Sequence, residues 1–246
     1  MSQHAWPKDW ICPDWPVANN VRACVTTATQ GHSQGAYAHF NLAEHVGDDS
    51  AQVLANRQQL ANILGCTPVW LDQVHGVDVA QACSQPVATA DASVTRERGV
   101  ACTIMTADCL PALLATRDGS CVGAAHAGWR GLLAGVLENT AKAMDCEPQA
   151  IQVWLGPAIG AQVYEVGPEV REKFLADNPV AAQAFQPSAR EEHWFADLYC
   201  LARLRLQRFG IKEIYGGGFC TLTDTRFYSY RRQSQTGRFA SLIWLE

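Results

Sequence analysis

Short, predominantly apolar runs constrain the fold of this 246-residue chain more than any other feature of its sequence. Such runs are typical of β-strands that are buried in a sheet. Helical patterns separate them, and no linker or change in composition divides the chain. Because strands and helices alternate in this way, we predict a single α/β domain over residues 1–246, with residues 1–20 as an irregular, loosely packed N-terminal segment. The predicted strands lie at residues 21–27, 69–71, 77–82, 100–105, 121–125, 151–155, 211–215 and 239–245.

The predicted helices are marked by apolar stripes and by residues that begin or end a helix. Residues 50–64 carry apolar side chains at helical spacing, with Asp49 or Ser50 as the N-terminal cap and Gly65 as the stop. A second helix is expected over residues 131–144. Two more helices are predicted at residues 168–175 and 194–209. Among the strands, residues 77–82 are predicted to form a hairpin with the strand that precedes them.

Charge and cysteine usage exclude several classes of protein. The formal net charge of -5 and the lack of a Lys/Arg-rich block argue against nucleic-acid binding, because nothing would neutralise a row of phosphates. There is no signal-peptide pattern and no apolar run near the ~20 residues of a membrane span, so we expect a cytoplasmic protein without membrane contact. The ten cysteines form no C-x-x-C pair, which is typical of small buried side chains in a reducing compartment.

Three reactive side chains each follow an apolar run, where a strand is expected to give way to a loop. They are His75, Cys109 and His126. Because loops at strand ends commonly carry functional groups, we expect these side chains to converge on one transition metal. Two imidazoles and one thiolate leave the fourth position of tetrahedral zinc open, as in catalytic sites where the pKa of a bound water falls to about 7. The same donors also suit copper.

The spacing of these residues does not by itself establish a metal site. His126 can equally be a core histidine hydrogen-bonded to backbone, and His75 a surface residue of a loop. A second functional hypothesis pairs Cys109 with either histidine, which would lower the pKa of the thiol and make it a nucleophile. We also expect the helix that begins at Gly131 to direct its N-terminal amides towards the site, which favours an anionic ligand.

Six other polar residues near these motifs are candidates for a role in the site. Asp108, together with His75, Cys109 and His126, is a candidate catalytic residue. It is predicted to orient a ligand histidine or to transfer a proton, with a turn cap as the alternative. Arginines bind phosphate or carboxylate through paired hydrogen bonds, and tyrosines stack on flat rings. Lone arginines more often lie on the surface, however, and aromatic residues just before a final strand more often belong to the core. The candidate substrate-binding residues are Gln73, Arg130, Tyr230, Arg231 and Arg238.

Five motifs follow one another along the chain: QVHG at 73–76, TADCLP at 106–111, HAGWRG at 126–131, GPAIG at 156–160 and FYSYRR at 227–232. Together they closely resemble the YfiH family, also called the multicopper polyphenol oxidase or laccase-domain family and the peptidoglycan editing factor family. The resemblance covers nearly the whole chain from about Val21. It implies an α/β/β/α sandwich with mixed sheets, and it implies that His75, Cys109 and His126 are zinc ligands.

The resemblance also implies an activity. It points to a zinc-dependent purine nucleoside phosphorylase that acts on adenosine, inosine and methylthioadenosine and also deaminates adenosine. The substrates would be a purine nucleoside and phosphate, and a homodimer is compatible with this function. The first alternative is a copper-dependent polyphenol oxidase of the laccase type, although seven histidines supply few ligands for several copper ions. The others are an amide hydrolase that edits peptidoglycan precursors through the metal or Cys109, and a partner-binding protein with a structural metal.

Two stretches depart from the family's pattern. The family's early Thr-Arg-x-Gly-Gly loop has Ala28 in place of the arginine and Gln30 in place of the first glycine. Near the end of the chain, Gly218 and Phe219 replace an Asp-Arg pair before Cys-Thr. If either missing arginine binds phosphate, phosphorolysis would be weakened while metal-dependent hydrolysis would survive.

Overall fold

The computed structural model describes residues 6–82 and 87–246 of the chain. The strands are β1 (Val21–Val25), β2 (Thr67–Val69), β3 (Leu71–Asp72), β4 (Val79–Gln81), β5 (Ala88–Thr89), β6 (Ala92–Thr95), β7 (Val100–Thr106), β8 (Leu110–Thr116), β9 (Val122–Ala127), β10 (Ile151–Leu155), β11 (Glu165–Val166), β12 (Phe185–Pro187), β13 (Trp194–Ala196), β14 (Glu213–Gly216) and β15 (Phe239–Leu245). The helices are α1 (Ser50–Leu64), α2 (Trp129–Ala134), α3 (Val136–Ala143), α4 (Pro168–Asp177) and α5 (Leu198–Phe209). Short 3-10 turns occur at Gly35–Tyr37, Pro148–Ala150 and Pro179–Ala184.

Most of the strands belong to two mixed sheets. One sheet has four strands in the order β1-β15-β7-β2, and the other has six in the order β14-β10-β8-β9-β6-β4. Pairing is largely antiparallel, but β2 runs parallel to β7, β14 to β10 and β4 to β6. Two smaller groups, β11-β13-β12 and β3-β5, lie beside them. The predicted α/β fold with mixed sheets is therefore confirmed.

The central strands look apolar along their whole length because both of their faces are buried. In β15, Phe239 and Ile243 belong to the core between the two sheets, whereas Leu242 and Trp244 belong to the core beneath α1. On the six-stranded sheet, β8, β9 and β10 divide their side chains in the same way between the inner core and a third core that contains α3 and α5. The layers therefore follow the order helix, sheet, sheet, helices, as the family resemblance implied.

The prediction for α1 is confirmed at both ends. The carboxylate of Asp49 accepts a hydrogen bond from the backbone amide of Ala51 at 2.8 Å and so caps the first turn. Gly65 follows the last turn with a φ of 65°, the left-handed conformation in which helices commonly end. Leu60 and Leu64 are buried beneath this helix.

Two predicted helices are wrong in their boundaries. The predicted helix at 131–144 is two helices, because Gly135 interrupts it with a φ of 102°, and the first of them begins earlier, at Trp129. The predicted helix at 194–209 begins only after Asp197, whose carboxylate accepts a hydrogen bond from the amide of Cys200 at 2.9 Å. Residues 194–196 form β13 instead, which pairs with β11 and β12.

The strands on either side of the first reactive histidine and the N-terminal segment also differ from the prediction. Residues 77–82 do not form a hairpin, because β4 runs parallel to β6 and β3 runs parallel to β5. The N-terminal segment packs more tightly than expected, since Trp10 is buried 5.7 Å from the ring of Phe40. Residues 1–5 of that segment, and Cys83, lie outside the described residues. Within the described ranges, no helix combines the length and the apolar character needed to cross a bilayer.

Candidate metal centre

The three reactive side chains come together at one end of the two sheets. His75 lies in the loop after β3, Cys109 lies in the turn that carries the chain from β7 into β8, and His126 lies inside β9. Their ligand atoms all lie within 4.8 Å of one another. The Sγ atom of Cys109 is 3.8 Å from Nε2 of His75, and the two imidazole ring centroids are 4.6 Å apart. These residues are 34 and 17 positions apart in sequence, so only the tertiary structure brings them together.

Two residues of this centre have backbone conformations that are unusual for side chains other than glycine. His75 has a φ of 62° and Asp108 has a φ of 89°. Left-handed backbone of this kind costs of order 1–3 kcal/mol and persists only where the surroundings impose it. Gly128 is also required, because a Cβ atom at this position would lie 3.0 Å from both Cys109 Sγ and His75 Cδ2. The crowding and the strain indicate that this region is shaped for a specific arrangement of side chains.

A buried carboxylate that the sequence analysis did not single out supports both histidines. Asp91 is fully buried, and its Oδ1 accepts a hydrogen bond from His126 Nδ1 at 2.8 Å. Burial raises the pKa of this carboxyl group, but the hydrogen bonds from His126 and from the amide of Gly76 outweigh it and leave the pKa below its ordinary value. Among the described residues, the carboxylate of Asp108, for which such a role was predicted, bonds to Thr221 and Arg231 and to neither histidine. In the sequence, the one signal for a role of Asp91 is that it lies in a polar loop just before β6.

Asp108 instead ties two loops together. Its Oδ1 accepts a hydrogen bond from the hydroxyl of Thr221 at 2.6 Å. Its Oδ2 accepts one from the backbone amide of Arg231 at 2.7 Å. The carboxylate thus fixes the loop of residues 229–232 against the turn that carries Cys109.

Electrostatic interactions in the centre favour a deprotonated thiol. Burial raises the pKa of the Cys109 thiol, but the charge of His126 and the hydrogen bonds from both histidines lower it below the usual range for cysteine. Burial lowers the pKa of His126, but the Cys109 sulfur and the Asp91 carboxylate raise it above its usual range. Both shifts favour the thiolate form of Cys109. The thiolate is the form of cysteine that binds metal and also the form that acts as a nucleophile.

The donor set fits a single metal ion. Tetrahedral zinc holds nitrogen at about 2.1 Å and sulfur at about 2.3 Å, which separates two such donors by about 3.6 Å. The distance of 3.8 Å between Cys109 Sγ and His75 Nε2 is close to that value. Because Nδ1 of His126 is held by Asp91, Nε2 is the nitrogen left for a ligand. The site thus indicates a metal, and its donors suit zinc and copper alike.

All of the candidate residues from the sequence line one cavity of about 370 Å³, within the usual range for small-molecule sites. The cavity walls include aromatic rings that the sequence analysis did not assign to the site, among them Trp129 and Tyr164. His45 also lines the cavity, although sequence reasoning gave it no role. The candidate residues on its walls are Gln73, His75, Asp108, Cys109, His126, Arg130, Tyr230, Arg231 and Arg238.

Three arginines give this cavity a positive charge. Within residues 6–82 and 87–246, the guanidinium groups of Arg130, Arg231 and Arg238 have no carboxylate within 4.0 Å, whereas that of Arg205 outside the cavity pairs with two. Arg238 Nη1 donates to the carbonyl oxygens of Thr236 and Gly237, both at 2.9 Å, which orients the guanidinium. Uncompensated guanidinium groups in a cavity favour an anionic ligand.

Two other candidates have different surroundings. Gln73 pairs with backbone, since its Nε2 donates to the carbonyl of Met105 at 2.9 Å and its Oε1 accepts from the Met105 amide at 2.8 Å. This pairing joins the loop before His75 to β7. Tyr230 lines the cavity and is 57% exposed.

The two departures from the family's pattern lie away from the cavity. Neither Ala28 nor Phe219 lines it, and both pack against the core between the sheets. Gln30 is exposed with a φ of 61°, a conformation that glycine adopts more easily, so the substitution strains this loop without reaching the site.

Comparisons with known proteins show which family the chain belongs to. A family model described as "Multi-copper polyphenol oxidoreductase laccase" matches residues 22–246. A Pseudomonas aeruginosa protein named as a purine nucleoside phosphorylase is 56% identical over 238 residues, which cover 96% of this chain and 98% of that protein. The Escherichia coli K12 protein named purine nucleoside phosphorylase YfiH is 48% identical over 240 residues, which cover 96% of this chain and 98% of that protein.

A solved structure shares the fold. The crystal structure of a Neisseria meningitidis protein of the family DUF152 superimposes with a TM-score of 0.95 at 46% identity, covering 97% of this chain and 100% of that one. The family predicted from the five motifs is thus confirmed. On the joint basis of motif order, fold and overall identity, this chain belongs to the YfiH family, whose members share the laccase-like domain.

Proposed function

We propose that this chain is a zinc-dependent purine nucleoside phosphorylase that also deaminates adenosine. The observation that carries the proposal is the combination, in one cavity, of a His-Cys-His group with three arginines that have no carboxylate partner among the described residues. Such a cavity accommodates an uncharged ring system together with an anion. The names of relatives that are 56% and 48% identical support the same function.

The two substrates would use different parts of the cavity. In phosphorolysis, a phosphate oxygen forms a bond to C1′ of the ribose, the bond from C1′ to the purine nitrogen breaks, and the base takes up a proton. Arg130, Arg231 and Arg238 would neutralise and orient the phosphate. The rings of Tyr164 and Tyr230 would stack against the flat base, as aromatic side chains do.

Deamination would use the same bound nucleoside. The amino group at C6 of adenosine is replaced by an oxygen from water, and ammonia leaves. A zinc ion held by His75, Cys109 and His126 would supply a Lewis acid and would lower the pKa of a water molecule. The residues of the cavity would hold the purine and exclude bulk water, which strengthens electrostatic interactions with the reacting atoms.

A copper-dependent polyphenol oxidase is the second candidate, because the description of the family model names that activity. A multicopper enzyme needs several metal ions. In residues 6–82 and 87–246, one group of three potential ligands lies together. This observation favours a single ion and hence the nucleoside activity.

Adenosine and inosine turnover with and without phosphate tests the proposed function. We expect free base and ribose 1-phosphate only when phosphate is present, and inosine from adenosine in its absence, measured by chromatography. The metal content of protein purified without added metal should be close to one zinc per chain by mass spectrometry. Stoichiometric copper, rapid oxygen uptake on a phenol and no nucleoside turnover would reverse the order of the two candidates.

The substitution Asp108→Asn tests how Asp108 contributes to this activity. An asparagine can still accept from Thr221, but its amide group would oppose the N–H of Arg231, so the loop of residues 229–232 loses an anchor. We expect the KM for phosphate to rise about 10-fold with kcat nearly unchanged, since one lost hydrogen bond to a charged group costs roughly 1.5–3 kcal/mol.

Asp118→Asn is the matched control for this prediction. Asp118 accepts a hydrogen bond from Ser120 in an exposed turn, far from the residues that line the cavity. The opposite pattern in Asp108→Asn, a large fall in kcat at constant KM, would instead support the prediction from the sequence that Asp108 transfers a proton.

A further inference from the structure

We propose that Asp91 is a positioning residue that holds both imidazoles of the metal centre in place before an ion binds. The proposal rests on the metal role that the proposed function gives to His75 and His126. It concerns a residue that touches neither the cavity nor a substrate. Asp91 acts instead through the loop that carries one histidine and through the ring of the other.

Four N–H groups converge on the two oxygens of this carboxylate. Oδ1 accepts from the backbone amide of His75 at 2.9 Å and from Nδ1 of His126 at 2.8 Å. Oδ2 accepts from the amides of Val74 at 3.1 Å and Gly76 at 2.6 Å. Three consecutive amides pointing at one carboxylate form a concave anion site, and here the occupant is a side chain of the protein itself.

These contacts account for the unusual backbone of His75. Its φ of 62° is costly for a residue with a Cβ atom, and it persists because the amides on both sides of it are held by the same carboxylate. In the left-handed conformation the ring of His75 reaches Cys109, with Nε2 at 3.8 Å from Sγ. The hydrogen bonds to Asp91 therefore favour that conformation over the extended one.

The same carboxylate determines which nitrogen of His126 is available. Because Nδ1 donates to Asp91, Nε2 is directed towards Cys109 and His75. The backbone repeats this connection, since the carbonyl oxygen of Asp91 accepts from the amide of His126 at 2.7 Å. One residue therefore fixes the loop, the ring and the strand relative to one another.

Asparagine at this position would preserve the shape but not the bonding. Its single carbonyl oxygen can accept from one side, while its NH₂ group would face N–H donors on the other. In the described residues, His126 is the ionic partner of Asp91, so no lysine or arginine loses a counter-charge in the variant. The effect of Asp91→Asn should therefore fall on the histidine loop and ring.

Zinc affinity of the full-length protein tests the proposal, measured by competition with a chromophoric chelator. We expect Asp91→Asn to raise the Kd for Zn²⁺ about 10- to 100-fold, the usual effect of losing a residue that orients a metal ligand. The visible spectrum of the Co²⁺-substituted protein should change as well, because it reports the geometry of the ligands. Asp78→Asn is the control, since Asp78 has an exposed side chain and contacts Asp91 through its backbone carbonyl.

A second measurement does not depend on the variant folding. In the metal-free wild-type protein, we expect slow hydrogen exchange at the amides of Val74, His75 and Gly76. We also expect a slowly exchanging imidazole N–H resonance from Nδ1 of His126, with the same behaviour after zinc is added. Fast exchange of these four protons in the metal-free protein would overturn the proposal.

The possible failures are distinguishable. A folded Asp91→Asn protein that binds Zn²⁺ as tightly as the wild type would overturn the positioning role alone. A wild-type protein that binds no Zn²⁺ would overturn both the metal centre and the role of Asp91. If zinc binding depends on Asp91 but no nucleoside is turned over, the proposed function fails and the positioning role stands.

Discussion

Replacing Cys109 with serine is expected to remove the bound metal and to lower nucleoside turnover by more than about 1,000-fold. Residues that act as one catalytic unit lose most of the rate enhancement when any one of them is removed. A serine hydroxyl is not deprotonated as the thiol is, so it cannot replace the thiolate that the two histidines stabilise. Metal content by mass spectrometry and initial rates with adenosine and inosine measure the two effects.

Cys220→Ser is the matched control for this substitution. Cys220 is also partly exposed, and its sulfur accepts a hydrogen bond from the amide of Gly160 at 3.4 Å, but it does not line the cavity of the metal centre. We expect its metal content and activity to match the wild type. If Cys109→Ser keeps its metal and a tenth of its activity, the centre does not work as proposed. If chelated wild-type protein stays active while Cys109→Ser is inactive, the thiol acts as a nucleophile.

Replacing Phe239 with alanine is expected to destabilise the protein by about 3–5 kcal/mol, the usual cost of removing a phenylalanine from a core. Phe239 is fully buried between the two sheets, where its ring lies 5.0 Å from the ring of Phe227. β15 is held in register with β7, where Phe239 pairs with Thr106, so the space left by the ring cannot collapse easily. Since domains have only about 5–15 kcal/mol of stability, this loss is a large fraction of the total.

Urea unfolding monitored by tryptophan fluorescence measures this effect as a lower midpoint with an unchanged slope. Phe209→Ala is the control, because Phe209 ends α5 and is only partly buried, so its loss should cost clearly less. A cost below about 1 kcal/mol for Phe239→Ala would mean that the core between the sheets is not closely packed at this position.

The sequence predicts best those elements whose ends are set by neighbouring residues or by burial on both faces. The bounds of β10 and β15 agree with the apolar runs at 151–155 and 239–245, because a strand buried on both faces shows its limits as a change from apolar to polar residues. The ends of α1 were equally predictable, since Asp49 and Gly65 act on the residues next to them. Local hydrogen bonds and local backbone preferences are encoded in local sequence.

Elements that depend on contacts between distant residues were predicted less well. The pairing of β4 with β6 is decided by the sheet it joins, and nothing within residues 77–82 distinguishes it from a hairpin strand. The break at Gly135 was not predicted because a glycine inside a helical pattern is often tolerated. Asp91 was missed because an aspartate in a polar loop looks the same in sequence whether its carboxylate is buried or exposed. Its importance arises from backbone amides that lie 15 to 17 positions away in the chain.

By itself, the sequence determined the alternation of buried strands and helices, the five motifs and the chemical types of the ligands, since these properties belong to single residues and their neighbours. The tertiary structure alone decided that two imidazoles and a thiol meet within 4.8 Å, that three arginines share their cavity, and that a buried carboxylate holds the histidines. The reason is physical: distances between groups far apart in the chain are set by sheet register and by the packing of the two sheets, and no local pattern encodes those distances.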